Sequence, residues 1–396
     1  MTTDATAQSA GKLASVEPVL SGAGRLSDML PAGQHLPPRT LFHAGPPYST
    51  EASRIPAPVR RSAAVAAVVE GWAASPEEGL AAIAAGDILL APAQDNRLVV
   101  PLAFVAGPST GVLRVSDASG AGSALAAIND GPPAGALRFG APNGETAARL
   151  RRLNGDVAGA LDAALRDDPV PLLPIAAAAL KKGDELHGQV AASSVAILEI
   201  LAKRLSAGPA AEQVAAANQF FLNVWMAACA LMLKAGAGIA GSRLVCAAGG
   251  NGVDVGLKLA GDPDRWIVRA GVTPLGTRIS PALETVAALP AVGDSVVIDA
   301  CGFGAQALGF APALREAFGA AVPAGVAEAP ARLLCAVHRG FGDLGIRVGL
   351  DIGRVGVSPF CANLAMVDAA GEHGLIGRGI ALLTKEPVLA GDKKET

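Results

Sequence analysis

Residues 144–236 carry almost no strand signal, and this constrains the fold more than any other feature of the chain. The segments 145–153, 157–166, 175–182, 184–205 and 211–234 follow helical spacing and composition. On either side the pattern changes. Segments 60–73 and 76–85 have helical spacing, whereas 87–92, 111–116 and 136–139 are short apolar runs bounded by Gly, Pro and Asp. Beyond residue 236 the β-like runs are 243–248, 253–259, 266–270, 296–300, 332–337 and 345–350, with one helix predicted over 305–318. The expected fold class is α/β (mixed α+β): two α/β domains, residues 41–143 and 237–390, with a helical domain at 144–236 between them. Residues 1–40, rich in Ala, Gly, Pro and Ser without a sustained period, are expected to form a loose N-terminal arm.

The 396 residues carry 32 Lys and Arg against 35 Asp and Glu, a net charge of −3, which excludes a basic nucleic-acid footprint. With 51% hydrophobic residues the chain can bury a large core, so disorder is excluded too. The mean hydropathy of +0.41 raises the question of a membrane. The longest apolar stretch, 224–240, is interrupted by Lys234 and glycines, and falls short of the roughly 20 apolar residues of a span. No basic segment precedes an apolar core at the N-terminus, so no secretory signal is read there and a cytoplasmic protein is expected, with neither a membrane nor a nucleic acid as partner. The five cysteines, Cys229, Cys246, Cys301, Cys335 and Cys361, lie apart in apolar segments without a C-x-x-C pair, and are expected to be reduced core thiols.

The sharpest polar cluster is Gly183-Asp184-Glu185-Leu186-His187-Gly188-Gln189. If this segment is helical, Asp184 caps it and His187, three residues on, shares its face, while Glu185 and Gln189 share a neighbouring one. A carboxylate beside an imidazole fixes the ring's tautomer and raises its basicity, as general acid/base chemistry requires. The same spacing also suits an ordinary capping box. A second candidate is the run 296–300, read as a strand, followed by Cys301-Gly302-Phe303-Gly304-Ala305-Gln306-Ala307 and a helix. Gly302 and Gly304 would let backbone N–H groups at a helix N-terminus approach a phosphate. No carboxylate follows at 334–339, which disfavours a dinucleotide, and a plain tight turn is the alternative. Gly249-Gly250-Asn251-Gly252 reads as a hairpin turn, His43-Ala44-Gly45-Pro46-Pro47 as a rigid loop and Asn129-Asp130-Gly131 as a turn, each with a polar side chain able to meet a ligand. No P-loop or H-E-x-x-H motif occurs.

In sequence order, Leu41-Phe42-His43-Ala44-Gly45-Pro46-Pro47, Glu70-Gly71, Ile128-Asn129-Asp130-Gly131, Leu137-Arg138-Phe139-Gly140-Ala141 and Gly183-Asp184-Glu185-Leu186-His187 are followed by Phe220-Phe221-Leu222-Asn223, Asn251-Gly252, Gly293-Asp294-Ser295, Cys301-Gly302-Phe303-Gly304 and Gly377-Arg378-Gly379. Over residues 41–385 this series resembles the YlbE-like family, which includes a subunit of oxamate carbamoyltransferase. The resemblance implies two α/β domains flanking a helical one. It also implies carbamoyl transfer between carbamoyl phosphate and the amide nitrogen of oxamate, in allantoin-type purine nitrogen catabolism, within a complex of other subunit types. This chain departs from the family at Gly188-Gln189-Val190, where an Arg is usual, and at Gly250-Asn251-Gly252, which replaces R-N-G. On this reading Asp184, Glu185 and His187 handle the proton, while His43, Asn129, Asn251, Gly302 and Gly304 bind carbamoyl phosphate or its phosphate. No metal or cofactor is expected. Two other readings are a non-catalytic structural subunit that has shed charged site residues, and a small-molecule-binding sensor.

Overall fold

The computed structural model describes residues 2–29, 38–48, 54–355 and 360–384. It is a mixed α/β fold whose parts meet on the helix Phe220–Lys234. That helix is apolar nearly all round, a pattern that demands burial on every side. It packs on strands Gly111–Asp117 and Ser123–Ala127 of one sheet, on Val245–Asn251 of another, and on helices Ala191–Ala202 and Val296–Cys301. Trp225 at its centre is fully buried, with Phe221 stacked at 5.5 Å and Phe303 edge-on at 4.9 Å between ring centroids.

The first sheet has five strands in the order Leu98–Val99, Ser123–Ala127, Gly111–Asp117, Pro18–Arg25, Val170–Pro171, antiparallel except for its first pair. The second is an antiparallel meander, Asp262–Ala270, Asp254–Leu259, Val245–Asn251, closed by Val292–Gly293. A third joins Leu275–Arg278, Leu375–Thr384 and Phe360–Val367, and two short pairs complete the set. One continuous apolar core runs from Leu13 to Ala381 through the helix Phe220–Lys234.

Several expectations are corrected here. The supposed loose arm contains the helix Thr2–Ala14 and the strand Pro18–Arg25, which lies inside the five-stranded sheet with Leu20 fully buried. Ser21, Gly22 and Gly24 hide the period of that strand, and its partner at 111–117 is remote in sequence. Residues 30–37 of the expected arm lie outside the described residues. The run read as a strand at 296–300 is instead the wholly buried helix Val296–Cys301, because a short continuous apolar run does not distinguish the two. The helix expected over 184–205 forms only at Ala191–Ala202, and the one over 305–318 is a 3₁₀ segment, Gly304–Phe310, followed by Pro312–Phe318. Gly249, Gly250 and Asn251 belong to a strand, and the turn falls at Gly252 with φ +86°.

All five cysteines are free thiols, four of them buried. Among the described residues no single helix is long and apolar enough to cross a membrane. The bent pair Pro209–Ala215 and Phe220–Lys234, meeting at 74°, has the length and composition, but sheets cover the second helix on two sides.

Truncating the central ring tests this packing. Trp225→Ala is expected to lower the free energy of unfolding by about 3–5 kcal/mol in urea denaturation. Trp225→Phe should cost far less, because the indole N–H it removes is buried without a partner.

Candidate functional site

Between the helix Phe220–Lys234, the loop 183–190 and the third sheet lies a cavity of about 540 Å³. His187, Arg138, Asn223, Ser295, Arg278, Asn363 and Arg378 are part of its polar lining, together with Asn129 from the loop after strand Ser123–Ala127.

The loop 183–190 leaves helical geometry at Gly183, φ +97°, and at Leu186, a non-glycine residue with φ +70°. Asp184 and His187 therefore share no helix face, which corrects the expected pairing. Asp184 instead accepts from the N–H groups of Ala192 (3.2 Å) and Ser193 (2.8 Å) and from the Ser193 hydroxyl (2.8 Å), capping the helix that starts at Ala191. The residue that orients His187 is Asp299, whose Oδ2 lies 2.7 Å from Nδ1. Its other oxygen accepts from the backbone N–H of Ala305 at 2.8 Å and of Asn363 at 3.1 Å. A carboxylate at Nδ1 places the ring proton there and leaves Nε2 as the acceptor.

Glu185 is fully buried one loop turn away. It accepts from the backbone N–H of His187 (3.1 Å) and Gln189 (2.7 Å) and from Asn363 Nδ2 (3.0 Å). Burial nevertheless pushes its carboxyl up to about 7, the opposing pull of His187 and of these donors being the weaker effect. Burial alone would lower the His187 pKa, but the charges of Asp299 and Glu185 outweigh it and raise it. An acid and a base whose pKa values both move toward or above neutrality thus sit side by side in a buried site.

The cations of the cavity differ in what they already hold. Arg138 is buried in an ion pair with Asp130 and donates to Gly131 O at 2.8 Å. Arg278 donates to Val286 O at 2.9 Å. Arg378 is exposed and has no side-chain partner among the described residues. Asn223 gives its Nδ2 to Ala127 O at 2.8 Å, and Asn363 gives its Nδ2 to Glu185. Both leave a buried carbonyl oxygen without a donor, a cost that a ligand N–H or an ordered water can relieve.

The remaining sequence candidates lie elsewhere. In the turn after the helix Val296–Cys301, the N–H groups of Gly302 and Phe303 donate to Ile298 O, that of Gly304 to Glu185 O, and that of Ala305 to Asp299. None is left for a phosphate, so the expected anion cradle is corrected. The glycines make room for the protein itself: a Cβ on Gly304 would lie 2.4 Å from Asp299 Oδ1 and one on Gly302 2.1 Å from Arg347 O. His43 and Asn251 do not line this cavity. Asn251 ties its amide to Pro46 O and its carbonyl oxygen to the N–H of Val253 and Asp254, as a buried joint. His43 is held by Ala44 O at 2.8 Å, and burial lowers its pKa to about 4. Of the expected residues, His187 and Asn129 line the cavity and Glu185 supports it from behind. Asp299, Asn223, Asn363 and Arg378 were not picked out as site residues. The motifs quoted above contain Asn223 and Arg378, whereas Asp299 lay unmarked within a presumed strand. Among the described residues no three His, Cys, Asp or Glu side chains group as metal ligands.

The fold and site define a mixed α/β protein built around a buried His–Asp couple at the edge of a polar cavity. The chain belongs to the family described as oxamate carbamoyltransferase subunit AllG, whose model matches residues 88–295, just over half of its length. It is 28% identical to the Escherichia coli K12 oxamate carbamoyltransferase subunit AllG over 292 residues, 71% of this chain and 69% of that one. It is 27% identical to the E. coli K12 uncharacterized protein YahG over 397 residues, covering 95% of this chain and 82% of the relative. In fold it is similar to a crystal structure of a conserved protein of unknown function from Enterococcus faecalis V583, with a TM-score of 0.88 at 21% identity, covering 98% and 96% of the two chains. The resemblance to an oxamate carbamoyltransferase subunit therefore holds, under the AllG description and not under the YlbE-like one.

The buried carboxyl gives a test by pH. Glu185 takes up a proton in the folded state at a higher pH than in the unfolded one, about 7 against 4.5, so its contribution to stability is complete below 4.5 and is lost as pH rises to about 7. Chemical denaturation across this range should show a smaller fall in stability for Glu185→Gln than for the wild type; parallel curves would contradict the shift.

Proposed function

We propose that this chain is a working subunit of an oxamate carbamoyltransferase-like enzyme of the cytoplasm, with the cavity at His187 as the place where a carbamoyl group passes between carbamoyl phosphate and an amide acceptor such as oxamate. The observation that carries the proposal is the His187–Asp299 couple on a cavity whose lining includes Arg378 and the carbonyl oxygens of Asn223 and Asn363, all without a side-chain partner among the described residues. Membership of a family described as a subunit supports further protein chains in the assembly.

In the forward direction the acceptor's amide nitrogen attacks the carbonyl carbon of carbamoyl phosphate. A C–N bond forms, the C–O bond to phosphate breaks and phosphate leaves with the electron pair. The nitrogen gives up a proton, for which His187 Nε2 is the acceptor, and Asp299 stabilises the imidazolium that results. Asn129 and Ser295 can orient the planar amide groups, Asn223 and Asn363 can accept from their NH₂ protons, and Arg378 can hold the leaving phosphate or the acceptor's carboxylate. The source of the acceptor in purine nitrogen catabolism is part of the same proposal.

Carbamoyl phosphate formation from oxalurate and phosphate, measured with the assembled complex, tests this. His187→Ala is expected to lower turnover of the assembled complex by about 10²–10⁴-fold, the usual range for a general acid/base group, and to lower the melting temperature as well, because buried Asp299 loses a donor. Arg378→Gln should raise KM for an anionic substrate more than it lowers kcat. A His187→Ala complex at the wild-type rate would favour the non-catalytic structural reading.

A further inference from the structure

A second cavity, of about 280 Å³, lies away from His187, among the end of the helix Phe220–Lys234, the turn at 94–99 and the strand Asp254–Leu259. Three cations line it, Arg97, Lys234 and Lys258, with the carboxylates Asp95 and Asp264. Lys258 is already neutralised: it is buried, its Nζ lies 2.6 Å from Asp95, and it sits 5.1 Å from the centre of the Trp266 ring. Arg97 and Lys234 form no side-chain ion pair among the described residues, and Asp264 is exposed. Arg97 is held in the left-handed region, φ +58°, as the C-cap of the 3₁₀ turn Ala93–Asn96. The same two cations and Ser123 also line an adjoining cavity of about 420 Å³, to which Lys12 contributes. Cys246 adds no charge, because burial pushes its thiol up to about 11.

Like charges gathered around a cleft in a low-dielectric wall repel one another, and this arrangement costs least when an anion occupies the space. The Lys234 pKa is lowered chiefly by desolvation and to a smaller extent by Arg97 and Lys258, with Cys246 and Asp95 opposing.

We infer that this cavity is a binding site for a doubly charged phosphate group, gripped by Arg97 and Lys234 with the Ser123 hydroxyl as a further donor. Arg97 and Lys234, outside any ion pair among the described residues, can each meet an oxygen of a dianion, with Asp264 and Asp117 at the edges of the two cavities, and the adjoining cavity leaves room for an organic part attached to the phosphate. The site does not depend on the reaction proposed at His187, with whose cavity it shares no lining residue.

Calorimetric titration of the full chain with inorganic phosphate tests the inference, using Arg97→Gln, Lys234→Gln and, as a control at an exposed arginine that lines none of these cavities, Arg152→Gln. Arg97 and Lys234 are both exposed enough for their variants to fold. The expected result is phosphate binding by the wild type that weakens at least about tenfold in Arg97→Gln and in Lys234→Gln, the loss of one charge-assisted contact, and is unchanged in Arg152→Gln. Equal affinity in the wild type and both variants, an equal loss in Arg152→Gln, or no binding by the wild type would each overturn it.

Discussion

The fully buried carboxylate of Asp299 holds four parts of this protein in register. It belongs to the helix Val296–Cys301, which packs on the central helix Phe220–Lys234. One of its oxygens fixes the start of the following turn through Ala305 and the strand Phe360–Val367 through Asn363, while the other fixes the loop 183–190 through His187. An isolated buried carboxylate costs several kcal/mol, so these donors must all be in place for it to be tolerated. Gly304 follows from the same demand, since a side chain there would meet Asp299 and His187. Position and chemistry are thereby coupled: the hydrogen bonds that make the burial of Asp299 affordable also set the tautomer and direction of the His187 ring.

The layer class was legible because helices and strands in this chain differ in period along long stretches. The helix Pro76–Ala85 was read with its full bounds, fixed by Ser75 as N-cap and by Gly86 with φ +79°. Legibility failed where structure depends on remote partners. The strand Pro18–Arg25 is held by pairing with Gly111–Asp117 and by burial of Leu20, neither of which shows in its own sequence. The long pair Phe360–Val367 and Leu375–Thr384 went unread for a different reason: its strands are neighbours in sequence, but the first is buried on both faces and so lacks the alternation that marks a strand.

The candidate site was half legible. His187 and Glu185 stood out because a charged cluster between apolar helices has few structural uses, yet the helical face assumed for them does not exist. Leu186 with φ +70° turns the chain, so that Asp184 faces the helix that follows and His187 faces Asp299, 112 residues further on. Glycine spacing misled at Gly302 and Gly304 because the same pattern serves a turn around an internal carboxylate as readily as one around an external phosphate. Cationic groups are distributed unevenly as a consequence: Arg138 is spent on Asp130, whereas Arg378 in one cavity and Arg97 and Lys234 in another remain available to anions.

If the His187–Asp299 couple is the proton acceptor in carbamoyl transfer, its pKa must govern the rate. The most direct measurement is the pH dependence of kcat/KM for carbamoyl transfer by the assembled complex, compared between the wild type and Asp299→Asn. Asp299 raises the His187 pKa, so its neutralisation should move the acidic limb of the profile to lower pH while reducing the plateau. A limb that stays in place with an unchanged plateau would contradict the account.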